Sequence, residues 1–536
     1  CTRITSSLGA DIRHTYDWEG NLQTMQAGES WQASWVRDNT GLEVQRTFSG
    51  GVIVSTERDR FGREVRKSVR SGGIERGAYR YEWGIANRLL SKENELTGTV
   101  MRYDYDRFDF LIRQETIQGS ETDVIYRVPD FVGNLFETPD KKDRKYGAGG
   151  KLLEDPDCFY HYDDEGNLIF REFKQLQETG VRYDRKCMEK ERGIRCLATG
   201  TGWLYEWASN GMLKKVIRPD GRPVEFRYDA LGRRTAKQYF GKVTRWVWDG
   251  NVPIHEWGYK VTDRQPNDEE NTPSKEPIED ITTWVFEAGT FVPTAKIQNG
   301  KQYSIVSDYL GTPIQMYDEQ GHKTWDCILD IYGKAINIER SSLNECPFRW
   351  AGQYLDYETN LCYNRFRYYS PEMGGYISQD PIGLLGNNPT LYGYVYDTNS
   401  WIDELGLYSN ILGSGMGHHL MPRSIAKKLN ILDLSKNNSI AWYPESSHGT
   451  AELHKKLHRN LIDEGVPYHG SKYTGNVDDF FDSAEKAYKG IEIKGYMKIP
   501  GTDDVLDRGT PLECIQKLRE KYGNEKEKVR TQKHNH

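Results

Sequence analysis

The sequence predicts a mainly β chain: one long repetitive β region followed by a small mixed α+β domain. Three observations carry that expectation. The 536 residues include 34 Tyr, 14 Trp and 52 Gly, and the mean hydropathy is −0.77. That mixture suits many short strands joined by tight turns and covered by amphipathic rings, whereas disordered chains are poor in aromatics. A short aromatic-Asp-turn unit recurs through residues 1–350. The composition then changes after Asp403-Glu-Leu-Gly-Leu407, and the tail beyond it holds eight of the twelve histidines. At this length more than one core is expected.

The repeat is loose but recognisable. Tyr16-Asp-Trp-Glu-Gly-Asn-Leu22 and Tyr162-Asp-Asp-Glu-Gly-Asn-Leu168 are two copies, and Tyr205-Glu-Trp-Ala-Ser-Asn-Gly-Met-Leu213 carries an insertion. Phe226-Arg-Tyr-Asp-Ala-Leu-Gly-Arg-Arg234 and Trp246-Val-Trp-Asp-Gly-Asn251 continue the series. Large residues alternating up to a turn signal predict serial β-hairpins: Asp, Asn and Gly accept the turn, and rings stack across strands. A propeller or sandwich has the same composition, but the unit lacks a fixed blade length.

These units resemble the YD repeats of Rhs proteins, toxin-complex C components and teneurins. The stretch Phe348-Arg-Trp-Ala-Gly-Gln-Tyr-Leu-Asp-Tyr-Glu-Thr-Asn-Leu-Cys-Tyr-Asn-Arg-Phe-Arg-Tyr-Tyr-Ser-Pro371 is similar to the end of the Rhs core. It continues through Gly375-Tyr-Ile-Ser-Gln-Asp-Pro-Ile-Gly-Leu384 and Asn388-Pro-Thr-Leu-Tyr-Gly-Tyr-Val-Tyr396. The resemblance implies a spiralling YD-repeat β-shell, a hollow cocoon over residues 1–345. A closing block at 346–407 and a variable toxin domain at 408–536 would follow.

The junction has its own chemistry. Two aspartates brought together can share one proton, the ionised member activating water and the protonated one polarising a carbonyl. Asp380 and Asp403 are the obvious pair. The resemblance implies self-cleavage between Leu407 and Tyr408, assisted by an upstream basic residue, Arg367 or Arg365. One departure stands out: Glu404 occupies the place where the family pattern has proline, which would lock the backbone beside the aspartate. Read without the family, each Asp-x-x-Gly segment is a β-turn.

The tail begins with Gly417-His418-His419-Leu-Met-Pro422. A helix is expected over Ile425–Leu429, then Asn437-Asn438, a strand over Ile440–Pro444, and a His-bearing helix in the segment His448–His458. His454 and His458, four apart, share a helix face and make half of a divalent-ion site, which the His418-His419 strand could complete. This order resembles the ββα-metal (HNH) nucleases, in the His-His-x-x-Pro form found among polymorphic bacterial toxins. The resemblance implies His419 as general base, His418 as a metal ligand, and Asn438 (or Asn437) bracing the loop. Further ligands would come from His448, His454 and His458, and the cofactor would be Mg2+, Zn2+ or a similar ion. Arg423, Lys427, Lys428, Lys455, Lys456 and Arg459 would contact phosphates. A structural zinc site, or histidines that only pack and hydrogen-bond, is the plainer alternative. Amphipathic helices are expected over 476–489 and 511–522, with a charged end.

Charge is consistent with this division: residues 408–536 hold 20 Lys+Arg against 17 Asp+Glu, leaving 52 against 62 for the rest. A mildly basic tail on an acidic body fits a nucleic-acid-directed domain. No apolar stretch is long enough to span a bilayer, and no signal peptide opens the chain. The eight cysteines are scattered without zinc-like pairs, which points to a reduced, cytoplasmic folding environment in the producer. The chain starts at Cys1 inside a repeat, as expected of a fragment or processed product.

Together these readings describe an antibacterial effector. Its shell would enclose a metal-dependent DNase, release it by self-cleavage and reach target cells through a type VI secretion system. A spike or chaperone would engage an upstream region, and an immunity protein would protect the producer. The rival readings are an RNase or other metal-dependent hydrolase, and a non-enzymatic, teneurin-like binding module.

Overall fold

The computed structural model describes residues 2–18, 20–178, 180–264, 275–337, 345–383, 388, 390–407, 420–421, 423–429, 431, 441–444, 450–466, 473–498 and 505–522. The chain divides into two compact units, Cys1–Tyr408 and Ser409–His536. In the first unit a twelve-stranded sheet runs from Arg3–Thr5 to Glu121–Tyr126. A fifteen-stranded sheet runs from Lys145–Tyr146 to Lys323–Asp326, and in both each strand pairs with its neighbours in sequence. Among the described residues no helix is long and apolar enough to cross a membrane.

The repeat explains this meander. In Tyr16-Asp-Trp-Glu-Gly-Asn-Leu22, the Asp17 amide donates to the Asn21 carbonyl (2.9 Å), while the Asn21 amide donates to Asp17 Oδ1 (2.8 Å). Asp163 with Asn167 and Asp229 with Arg233 repeat both bonds. The aspartate therefore closes the turn twice, by main chain and by carboxylate.

The aromatic residue before the turn has a second task. Trp83 Nε1 donates to the Glu64 carbonyl, Tyr105 Oη to Leu89, Trp207 Nε1 to Leu168, Tyr228 Oη to Leu213 and Trp248 Nε1 to Arg234. Each acceptor opens the second strand of an earlier hairpin. Each ring sits at a register shift, a bulge that re-aims the side chain. Trp can replace Tyr here because both pair an apolar ring with a polar tip.

Among the described residues two large cores, beside smaller clusters, fill this unit. One joins residues of the first sheet, such as Met25, Trp31 and Val69, to Val285, Val306 and Tyr317 of the second. Trp31 Nε1 reaches Ser304 Oγ (3.1 Å) across that boundary. The other core packs the second sheet against the closing block, with Trp246, Trp284 and Trp325 meeting Phe348, Tyr354 and Tyr363.

The closing block folds as a four-stranded sheet: Tyr354–Asp356, Leu361–Asn364, Arg367–Ser370 and Gly375–Tyr376. It is anchored by one buried ionic cluster. Arg234 Nη1 bonds Asp356, and Lys237 Nζ lies 3.0 Å from Asp356 Oδ1 and 2.7 Å from Glu358 Oε2. The Arg234 guanidinium also lies over the Trp246 and Tyr363 rings, 4.4 and 4.5 Å from their centroids. A buried cation so enclosed is costly to orphan or to remove from its partners.

The second unit holds helices Arg423–Lys428, Thr450–Asp463, Val477–Tyr488 and Pro511–Tyr522, with an antiparallel sheet of Ala441–Pro444, Gly495–Lys498 and Val505–Gly509. Trp442 is buried and donates from Nε1 to the Gly509 carbonyl (3.0 Å). Asn476 caps Val477–Tyr488 through a reciprocal capping box with Asp479. The downstream strands Gly495–Lys498 and Val505–Gly509 are not anticipated from sequence; nor is the helix Arg185–Arg192 in the first unit, which Asp184 caps and Gly193 ends.

Arg234→Met should lower the unfolding free energy of the first unit by about 3–5 kcal/mol, because Asp356 is left buried with one cation fewer. Denaturant unfolding followed by tryptophan fluorescence checks this.

Candidate active site

The closing sheet delivers its residues to one buried point. A two-residue hairpin turn, Arg365-Phe366, sets Asn364 opposite Arg367. Arg365 takes a positive φ of 57° and turns its guanidinium outward to Asn251 and the Gly232 and Leu231 carbonyls. Arg367 turns the other way. Its Nη2 lies 3.0 Å from Asp380 Oδ2 and 3.4 Å from Asp403 Oδ2, with all three side chains nearly inaccessible. Of the two candidate arginines, Arg367 is therefore the one beside both aspartates. Its remaining donors serve the Gly406 and Leu391 carbonyls, and its Cζ sits 3.6 Å from the centre of the Tyr376 ring.

The two carboxylates are held differently. Asp380 closes the Asp-Pro-Ile-Gly turn, accepting the Ile382 amide at Oδ1 (2.9 Å). Its Oδ2 is buried and lies off the N–H axis of Arg367, so it has charge contact but no hydrogen bond. Burial pushes the Asp380 carboxyl above the usual range; the Arg367 charge opposes that shift and the Asp403 charge adds to it. Asp403 instead receives donors. Tyr376 Oη donates to its Oδ2 (2.6 Å) and the Leu407 amide to its Oδ1 (2.9 Å). Asn364 Nδ2 donates to the Asp403 carbonyl and to Tyr376 Oη, both at 2.8 Å.

The backbone from Asp403 to Leu407 is pinned at nearly every residue. The Asp403 amide donates to Tyr394 Oη (3.2 Å), the Leu405 carbonyl accepts the Phe366 amide (3.2 Å), and the Gly406 carbonyl accepts Arg367 Nε. Gly406 has a φ of +66°, and a Cβ there would strike the Asn364 carbonyl. A Cβ on Gly352 would likewise run into the Glu404 carbonyl, so the main chain at 404 lies flat on that glycine. These contacts fix the segment from outside, where a proline would have fixed it from within. Glu404 itself is half-buried; burial and then the Asp403 charge push its carboxyl upward.

Asp380, Asp403, Arg367 and Leu407 thus come together, while Tyr408 lies outside the described residues. Sequence reasoning passed over Tyr376, Tyr394 and Asn364. The signal for Asn364 is its position across a two-residue turn from Arg367; the tyrosines carry none beyond the general richness in Tyr.

In the tail, His418, His419, Asn437, Asn438 and His448 lie outside the described residues. His454 and His458 occupy backbone positions one turn apart in helix Thr450–Asp463, together with Lys455, and their side chains are outside the description. The same holds for the side chains of Arg423 and Lys427 in helix Arg423–Lys428. Lys428, Lys456 and Arg459 are exposed. Among the described residues no three His, Cys, Asp or Glu side chains converge as a metal site. Tyr488, fully buried, donates to the Leu420 carbonyl (3.0 Å) and so fixes the chain directly after the His-His pair.

Known proteins resemble both units. The Teneurin YD-shell family model matches residues 4–398, and the Toxin protein PT1 model matches residues 414–527. Probable deoxyribonuclease RhsA of Dickeya dadantii (strain 3937) is 27% identical over 411 residues, covering 73% of this chain and 25% of that protein. Double-stranded DNA deaminase toxin A of Burkholderia cenocepacia (strain H111) is 28% identical over 418 residues, covering 72% of this chain and 27% of that protein. The chain therefore spans about a quarter of the length of these relatives. The crystal structure of TcdB2-TccC3 without its hypervariable C-terminal region aligns with a TM-score of 0.38 at 18% identity, over 76% of this chain and 24% of that one. With the YD-shell match spanning most of its length and a toxin model on its tail, the chain belongs to the teneurin YD-shell family, as an Rhs/YD-repeat polymorphic toxin.

Proposed function

We propose that this chain is the carrier and cargo portion of an Rhs effector, which hydrolyses its own Leu407–Tyr408 bond to free a metal-dependent nuclease. The observation that carries the first half is the buried set Asp380, Arg367 and Asp403, with the Leu407 amide resting on Asp403. Burial favours a proton on Asp380, while Asp403 accepts hydrogen bonds from the Tyr376 hydroxyl and the Leu407 amide. Asp403 then takes a proton from water as the water oxygen bonds to the Leu407 carbonyl carbon, and Asp380 gives its proton to the carbonyl oxygen. On collapse the Asp403 proton passes to the Tyr408 nitrogen, the C–N bond breaks, and a hydroxyl proton returns to Asp380. Both acids end as they began. Arg367 balances the charge of the pair and holds the Gly406 carbonyl next to the reacting peptide.

For the cargo, the PT1 match supports a toxin, and the deoxyribonuclease and DNA deaminase names of two relatives support DNA as its target. In this reading His419 takes the proton from the attacking water. His418, His448, His454 and His458 offer imidazole nitrogens suited to Zn2+ or a similar divalent ion. When bound, the ion neutralises the phosphate oxygen and the leaving alkoxide. Asn438 braces the loop that aims His419, and Arg423, Lys427, Lys455 and Arg459 draw in the phosphate backbone. Type VI delivery and a cognate immunity protein complete the proposal.

Asp403→Asn should leave the chain intact on a denaturing gel, with the melting transition of the first unit retained. Cleavage equal to that of the unaltered chain would refute the dyad. Because Asp380 acts as the protonated member, the initial rate should fall as pH rises through its elevated titration. A pH series of cleavage time courses reads this directly. The full chain, after processing, should cut plasmid DNA in the presence of a divalent ion and lose that activity with EDTA or His419→Ala. Cutting of RNA alone, or full activity in His419→Ala, would count against the HNH DNase assignment.

A further inference from the structure

The cleavage segment is itself a repeat turn with one bond redirected. In the turns opened by Asp17, Asp59, Asp106, Asp163, Asp229 and Asp308, the aspartate amide donates to the carbonyl four residues on, at 2.8–3.0 Å. In those same turns the amide of that fourth residue donates back to the aspartate carboxylate. Asp403-Glu-Leu-Gly-Leu407 keeps the second bond, Leu407 amide to Asp403 Oδ1 at 2.9 Å. It also keeps a positive φ three residues after the aspartate, at Gly406, where the other turns have glycine or, after Asp106, Asp109. The first bond is gone. The Asp403 amide points instead at Tyr394 Oη, 3.2 Å away.

We propose that Tyr394 is a positioning residue for self-cleavage, and that its hydroxyl captures the Asp403 amide and so keeps the Leu407 carbonyl out of the turn. This rests on the reading that Leu407–Tyr408 is the scissile bond. A carbonyl oxygen engaged by a main-chain donor inside a closed turn is held away from a catalytic acid. Released from that donor, it can receive the proton of Asp380 as water attacks. The tyrosine is well braced for this task. It is 2% exposed, and its ring stacks on Trp350 at 4.9 Å and 14° and packs against Tyr369 and Tyr376. Its main-chain carbonyl accepts from Asn388 Nδ2 (2.6 Å). The molecule thus uses one turn for two purposes, structural closure in the repeats and exposure of a peptide bond at the junction, and one hydroxyl separates them.

Tyr394→Phe keeps the ring and removes the hydroxyl, so the Asp403 amide should close onto the Leu407 carbonyl as in the repeats. The full chain is synthesised cell-free, translation is stopped, and processing is followed by gel for wild type, Tyr394→Phe and Asp403→Asn. The Phe variant should process roughly three- to tenfold more slowly, the scale of one neutral hydrogen bond. Hydrogen exchange of the Leu407 amide, read in an Asp380→Asn background that does not cleave, should show protection unchanged or increased by Tyr394→Phe. Slower processing with a less protected Leu407 amide would mean that the hydroxyl merely supports the fold, and would overturn the proposal. Wild-type processing with an unchanged rate in Tyr394→Phe would overturn it while leaving self-cleavage intact. A wild-type chain that never processes would remove both.

Discussion

The closing block is organised around one buried cation. Arg367 has almost no contact with solvent, and taking a guanidinium out of water costs several kcal/mol unless partners replace the lost hydration. Here the replacement comes from two carboxylates, the Gly406 and Leu391 carbonyls and the face of Tyr376. Those partners arrive from four separate segments, so satisfying one charge fixes where the chain must pass at 376, 380, 391 and 403–406. The same requirement sets the two carboxylates against one nitrogen. A structural demand and a chemical one are met by a single arrangement, and the local fold of the junction follows from it.

How this block finds its place depends on the repeats. Aspartates close hairpins such as those at Asp163 and Asp229, and Trp207, Tyr228 and Trp248 staple their strands to earlier ones, so the second sheet presents its turns in a fixed order. Arg234 and Lys237 lie on one of those strands and hold Asp356 and Glu358. Gly232 and Leu231, at the adjacent turn, receive Arg365 through their carbonyls. The second sheet therefore grips the closing strands on the side away from Arg367, and that grip leaves Arg367 free to face inward. Glu404 illustrates the benefit. The segment it occupies needs no internal proline, since Gly352, Phe366, Asn364 and Arg367 hold its main chain from outside.

Much of this was legible in the sequence, for a definite reason. Turn chemistry is local: Asp, Gly and the residue that follows specify a hairpin within five positions, so the serial strands could be read from Tyr16 to Asn251. The pairing of Asp380 with Asp403, and the choice of Arg367, are contacts over 13 to 36 residues, and motif resemblance supplied what spacing could not. Tyr394 and Tyr376 were invisible because a chain with 34 tyrosines offers no way to single out two. The helix Arg185–Arg192 was missed because only Met188 in it is buried, leaving no apolar face to detect. In the tail, strands of four and five residues such as Gly495–Lys498 and Val505–Gly509 are too short to show alternation. Helices Val477–Tyr488 and Pro511–Tyr522, with longer apolar stripes, lie within a residue of where they are expected and Arg423–Lys428 within two, whereas Thr450–Asp463 runs five residues past the expected end at His458.

The central claim is that this junction cuts itself at one peptide bond, and intact mass with N-terminal sequencing of the purified chain tests it most directly. The account predicts two fragments from the 62.0 kDa chain, the smaller beginning at Tyr408. A single unprocessed species, or a new terminus at any other residue, would contradict it.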